Sequence, residues 1–300
     1  MKNKKYQEII KYAYSLTKDY YAFHYGTLYL KDSYISNITK EDDYKSLNNW
    51  LKGIRQDYAK ILVTMNAIEK IQTQRLNNTF EHTYYTIGDK QATEEISCCI
   101  DYLFTKYRSI FDYIYQVLLL CIPPQLDEEN TNKYNELKKV PSKYKFFLRI
   151  IASAKEHTHN DLLDMKWFKQ IIDDRDYLIH DCASCLVFSD CRDPKMNISF
   201  TVWTKNAIDE EDNEKDISDP FYCLPNNRID YKKYWGLQLA KLIVFFDTIF
   251  DYLKDFCSID PCNLGHINTQ CKISRFTEDT GENIPDEQDV IRNIFNEISH

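Results

Sequence analysis

The chain is poor in the residues that interrupt regular structure, with 6 Gly and 8 Pro in 300 residues. Turn-rich β-architectures use both freely, so their scarcity argues against a sandwich or barrel and for long helices. No run approaches the roughly 18 apolar residues that a membrane span requires. The best candidate, Leu237 to Leu253, is broken by Lys241, Asp247 and Asp251. The 10 Cys follow no even, framework-like spacing, and Met1-Lys2-Asn3-Lys4-Lys5 leads into Tyr6-Gln7-Glu8 instead of an apolar signal segment. That pattern predicts reduced thiols and a cytoplasmic protein. Positive charge is not in excess either, since the formal net charge is -8. Seven acids fall between Asp209 and Asp219 against Lys215 alone, however, so that segment carries -6 and leaves -2 elsewhere. An RNA substrate is therefore not excluded by charge.

What the chain has in quantity is aromatic and apolar residues: 23 Tyr, 16 Phe and 43% hydrophobic content. That is enough for a substantial core, in one large domain or two small ones. Apolar or small residues at Ile9, Ala13, Leu16, Tyr20, Phe23, Thr27 and Leu30 alternate four and three apart, the mark of a helix with one buried stripe. Leu47, Leu51, Ile54, Tyr58, Ile61, Met65 and Ile68 repeat it, and a third set runs from Ile96 to Cys121, stopped by Pro123-Pro124. Ser142 to Ala154 forms a shorter helix, and Asn160 or Asp161 can cap the next. Cys185 to Phe188 and Ile198 to Trp203, rich in β-branched and aromatic residues, flank an Arg192-Asp193-Pro194-Lys195 turn and predict a small hairpin. The acidic loop follows. A long helix over about Asp230 to Phe256 and a short one near Pro285 to Ile298 complete the pattern.

The most telling stretch is Asp173-Asp174-Arg175-Asp176-Tyr177-Leu178-Ile179-His180-Asp181, where charged residues crowd the end of an apolar helical segment. On a helix Asp176 and His180 are four apart and share a face, whereas Arg175 and His180 are about 140° apart. Asp176 can then hold the imidazole while Arg175 points elsewhere. The bland alternative is a surface ion pair between Arg175 and Asp174 or Asp176, with His180 a hydrogen-bonded residue favoured by the helix C-terminal dipole.

Arg-Asp, three apolar or aromatic residues and His resemble the signature of the HEPN family (higher eukaryotes and prokaryotes nucleotide-binding), including its polar second position. HEPN domains are small helical bundles with this signature near the end of an inner helix, and the likeness covers roughly residues 91 to 258. The resemblance implies an all-α helical bundle, to which the residue pattern adds an N-terminal helical pair and a small β-hairpin after the motif helix. The expected organisation is an N-terminal helical extension over 1–88, the bundle over 89–258 and an irregular tail over 259–300 with a short helix. It also implies a metal-independent endoribonuclease without cofactor, built as a homodimer whose two motifs form one cleft and acting as a toxin or phage-defence effector with an antitoxin or regulatory partner. In that chemistry His180 moves protons near neutral pH, Arg175 stabilises the phosphorane-like charge and Asp176 orients the ring. The alternative is a non-catalytic dimer of the same fold that binds RNA or a protein. Where toxins paired with a nucleotidyltransferase carry a tyrosine two residues after the histidine, this chain has Cys182.

Secondary signals are weaker. Asp101, Thr105, Arg108, Asp112 and Gln116 form a polar seam on the third helix, and Arg108 with Asp112 is either a support for the site or a solvated face. Between Lys133 and Arg149 six basic residues face Glu136 alone. Lys138, Lys139, Lys143, Lys145 and Arg149, with Tyr144, are the candidate RNA contacts, because cations neutralise phosphates and aromatics stack on bases. Phe146 and Phe147 in the same stretch can equally enter the core. Cys182-x-x-Cys185 with Cys191 lacks a second pair at zinc-ribbon spacing, so no metal is expected. His157 and His159 are two apart and do not share a helix face.

Overall fold

The computed structural model describes residues 2–19, 41–79, 87–121, 139, 143–158, 162–163, 166–180, 185–189, 197–201, 219–225, 228–256 and 287–299. These residues form α1 (Lys2–Asp19), α2 (Glu41–Thr79), α3 (Ile87–Cys121), α4 (Lys143–Thr158), α5 (Lys166–His180), β1 (Leu186–Ser189), β2 (Ile198–Thr201), β3 (Cys223–Leu224), β4 (Arg228–Asp230), α6 (Tyr231–Phe256) and α7 (Glu287–Ile298). Helices dominate, as expected from the sequence, and a small antiparallel sheet accompanies them. Residues 20 to 30 of the first apolar stripe lie outside the described residues, as do Asn160, Asp161 and all of the acidic loop except Asp219.

Local chemistry explains several boundaries. α2 opens with Glu41, Asp42 and Asp43 in its first turn, where the helix dipole favours negative charge. Asp230 ends β4 and caps α6, its Oδ1 accepting the backbone N–H of Lys233 at 3.0 Å. Asp219 organises the turn before β3 in the same way. Its Oδ1 accepts from Phe221 N at 3.1 Å, and its carbonyl accepts from Cys223 N at 2.9 Å.

The expected hairpin is present, β1 pairing with β2 from Leu186↔Thr201 to Ser189↔Ile198. It is half of a larger unit, because β4 pairs with β2 and β3 with β4 to give the order β1-β2-β4-β3. The fold is therefore helical with a four-stranded antiparallel sheet. Strands of two and three residues are too short for side-chain alternation to show in the sequence.

α3 is the backbone of the packing. Its stripe Ile96, Ile100, Leu103, Tyr107, Ile110, Ile114 and Val117 is buried, and α2 lies antiparallel along it, with Lys106 beside Asp57 and Tyr113 beside Gly53. α6 is buried on every side from Tyr234 to Phe246, the pattern of a helix enclosed by its neighbours. α1 and α7 pack on α6, and Lys232 ties three helices by pairing with Glu69 of α2 at 3.0 Å and Glu297 of α7 at 2.7 Å. Residues of α1, α2 and α7 thus share one core with the segment 89–258.

Gly236 permits the close approach of α7. A Cβ there would lie 2.7 Å from Cδ1 of Ile298 and 3.1 Å from Cγ2 of Ile294. The flexible end of Ile298 can yield to a methyl group but not to a larger side chain. Gly236→Leu is expected to lower stability by about 1–3 kcal/mol through overpacking and to loosen α7 specifically. Thermal melting and amide exchange check this, and an unchanged midpoint with residues 287–298 still protected would contradict it.

Candidate functional site

α5 is amphipathic, burying Trp167, Phe168, Ile171 and Asp174 along one stripe. Its start is fixed by rings: Phe168 stacks on Phe111 with centroids 3.9 Å apart, and Trp167 meets Tyr107 and Phe245 edge-on. Its exit is fixed by α3. Ser97 Oγ donates to the carbonyl of Cys185, and the carboxylate of Asp101 accepts that residue's backbone N–H. Because residues 167–168 meet 107–111 and residue 185 meets 97–101, α5 runs antiparallel to α3.

Arg175 lies seven residues beyond Phe168, almost the same angular position, so it faces α3. Its Nη1 donates to Oδ1 of Asp176 at 2.7 Å, the two side chains being 27% and 47% exposed. Asp176, expected to orient His180, thus engages Arg175, and the surface ion pair weighed from sequence is the geometry seen. Arg175 Nε is buried, and among the described residues no acceptor meets it. His180 is the last residue of α5, and its side chain lies outside the described residues.

Asp174 points the other way. It is 4% exposed, and burial, reinforced by the neighbouring charge of Asp173, pushes its carboxyl up to about 8. It stands within electrostatic range of Tyr222 and Tyr234 and so belongs to the interior, leaving it out of reach as the partner of Arg175. The spacing Trp167, Ile171, Asp174 carried that information, since it places the acid on the buried stripe. Asp101 is another acid that the seam reading left without a role. Burial raises its carboxyl to about 6 against the lowering effect of the Cys185 N–H, and among the described residues its Oδ1 has no partner.

Arg108 and Asp112 pair at 2.6 Å, and Lys143 of α4 reaches the same Asp112 oxygen at 2.6 Å. The Arg108 guanidinium lies 5.8 Å from the centre of the Phe168 ring. These residues brace α3, α4 and the beginning of α5, two turns from Arg175. Of the candidate RNA contacts, Lys138 lies outside the described residues, Lys139 is exposed, and Lys145 and Arg149 share one exposed face of α4. Lys143 is engaged with Asp112 and stands 5.6 Å over the Tyr115 ring. Tyr144 packs against the core, while Phe146 and Phe147 are inside it. No group of three His, Cys, Asp or Glu side chains suited to a metal ion occurs among the described residues. Cys182, Cys191, His159 and the side chain of His157 are outside them.

The Asp174 carboxyl makes a pH-dependent demand on stability. Below the ordinary carboxylate range both folded and unfolded chains hold the proton, and there is no cost. As pH rises from about 4 toward 8 the unfolded chain ionises while the folded one does not, so stability falls by up to ~1.4 kcal/mol per unit. Asp174→Asn keeps the shape of the protonated acid and removes this loss. The variant is expected to match wild type near pH 4 and to exceed it by a few kcal/mol, on the order of 2–4, at pH 7.5. Denaturant unfolding at the two pH values checks it, and equal stability at pH 7.5 would refute it.

Comparison with family models, curated proteins and solved structures found no match for this chain. Among the described residues no helix is long and apolar enough to cross a membrane.

Proposed function

We propose that this chain is a metal-independent endoribonuclease of HEPN type, acting as a homodimer in which two Arg175/His180 motifs share a cleft. The observation that carries the reading is the position of Arg175: on the α3-facing side of a rigidly anchored helix, partly exposed, with a buried Nε that no described residue satisfies. The exposed part of that guanidinium can donate to a phosphate.

RNA supplies its own nucleophile. One His180 accepts the 2′-OH proton as the 2′-oxygen bonds to phosphorus, and the His180 of the other protomer gives a proton to the departing 5′-oxygen as the P–O5′ bond breaks. Arg175 balances the charge of the five-coordinate phosphorus. One imidazole cannot stand on both sides of the phosphate, so the mechanism requires two protomers. The products are a 2′,3′-cyclic phosphate and a 5′-hydroxyl.

The Arg175–Asp176 pair favours a second reading, a non-catalytic dimer of the same architecture that binds RNA or a protein partner. Incubation of wild type, Arg175→Ala and His180→Ala with single-stranded and total RNA in EDTA separates the two. Wild type is expected to yield cyclic phosphate ends, and each variant to be slower by at least about 100-fold. Absence of cleavage by wild type across several RNAs would transfer the assignment to the scaffold.

A further inference from the structure

Outside the motif, two cations meet at the seam between α2 and α3. In a chain of net charge -8, residues 44 to 68 contain Lys45, Lys52, Arg55 and Lys60 against the single acid Asp57, and residues 102 to 111 contain no acid at all. Asp57 is 3% exposed. Its Oδ1 holds Lys60 at 3.2 Å and Lys106 at 3.3 Å, so one buried carboxylate presents two ammonium groups side by side. The Lys106 ammonium also lies 5.4 Å from the centre of the Tyr102 ring, and Tyr102 and Tyr113 stand within electrostatic range of Lys60. Tyr102 is 38% exposed and Val63 67%, the most exposed of the large apolar side chains among the described residues. The ridge therefore offers positive charge and an accessible ring above the buried carboxylate of Asp57, with the partly buried Asp101 on its α5 side.

Its location follows from the helix registers. α2 and α3 are antiparallel with Asp57 opposite Lys106, which brings Lys60 and Val63 level with residues 100 to 103. α3 and α5 are antiparallel with Arg108 opposite Phe168. Seven residues back from Arg108 is Asp101, and seven beyond Phe168 is Arg175, each about 10 Å along its helix. Phe168 lies between Arg108 and Phe111, so Arg175 falls level with residues 101 to 104, and Tyr102 stands on α3 within a turn of Lys60 on one flank and Arg175 on the other. With helices about 8–10 Å apart, the span from Lys60 to Arg175 is near 20 Å, a few nucleotides of extended strand.

We propose that this ridge is a binding surface for single-stranded RNA, with phosphates on Lys52, Lys60 and Lys106, a base stacked on Tyr102, and the strand directed across α3 toward Arg175. The inference rests on the endoribonuclease reading for the identity of the ligand. The chemistry favours RNA over an acidic peptide because the ring beside the cations can stack on an unpaired base, which carboxylate side chains cannot do.

The test is fluorescence anisotropy of a labelled 12-nucleotide 2′-O-methyl RNA, which binds but has no free 2′-OH to attack, in EDTA at several KCl concentrations. Lys60→Gln/Tyr102→Ala removes exposed groups and leaves Lys106 on Asp57, so the fold is retained; Lys145→Gln/Arg149→Gln on α4 is the comparison. The ridge variant is expected to bind about tenfold or more weakly, with the slope of log Kd against log [KCl] reduced by about one, while the α4 variant stays close to wild type. The ridge is overturned if wild type fails to bind, if the ridge variant binds like wild type, or if polyglutamate displaces the RNA at equal charge concentration. Ridge-dependent binding without cleavage of unmodified RNA would remove the nuclease and keep the ridge. Cleavage undiminished in the ridge variant would do the reverse.

Discussion

The fold depends on one knot of aromatic rings where four helices meet. Phe111 of α3 stacks on Phe168 of α5 and touches Phe147 of α4 and Phe245 of α6, while Trp167 and Tyr107 close the cluster edge-on. Rings of this size bury large areas in few rotamers, and their edge-to-face preferences fix mutual orientation as well as proximity. Everything distinctive about α5 follows from that anchorage. Once Trp167 and Phe168 are seated, the helical period determines that Asp174 goes inward and that Arg175 faces α3. The candidate site is a consequence of core packing carried two turns along a helix.

The same period explains what was legible in the sequence. The stripes of α2, α3 and α6 are long, and repeated three- and four-residue spacing accumulates over each of them, so their existence and buried faces could be read directly. β3 and β4 offered no comparable signal, because strands this short are specified by neighbours, Asp219 and Asp230, and not by alternation. At the motif, helical spacing put Asp176 and His180 on one face, yet Asp176 is engaged by Arg175, one position away. A long flexible guanidinium can turn back along its own helix, and helical-wheel reasoning treats side chains as if they could not.

The pairing of Lys60 and Lys106 is illegible in the sequence for a different reason. The cations of the ridge are spread along two helices, Lys52 and Lys60 lying 54 and 46 positions before Lys106, and each looks ordinary in its own segment. Only antiparallel pairing places Lys60 beside Lys106. The α4 stretch had the opposite property, dense in sequence and divided in space: Phe146 and Phe147 enter the core, and Lys143 turns to Asp112. Linear charge density is thus a poor guide to surface potential in a helical protein.

The Arg175–Asp176 contact does not by itself decide between catalyst and scaffold. A pair with both members partly exposed contributes about 0–1 kcal/mol, because water solvates the separated charges nearly as well. An arriving phosphate, doubly hydrogen-bonded by a planar guanidinium, exceeds that readily. The pair is better regarded as a resting position: Asp176 holds one edge of the guanidinium at a partly exposed site, and among the described residues the buried Nε meets no acceptor. A buried and fully satisfied arginine would have cost several kcal/mol to redirect, and would have argued for structure. Arg175 lies two turns beyond Phe168 on the same side of a helix anchored by aromatic packing, and combines that fixed backbone position with a partly exposed side chain, as the proposed phosphate contact requires.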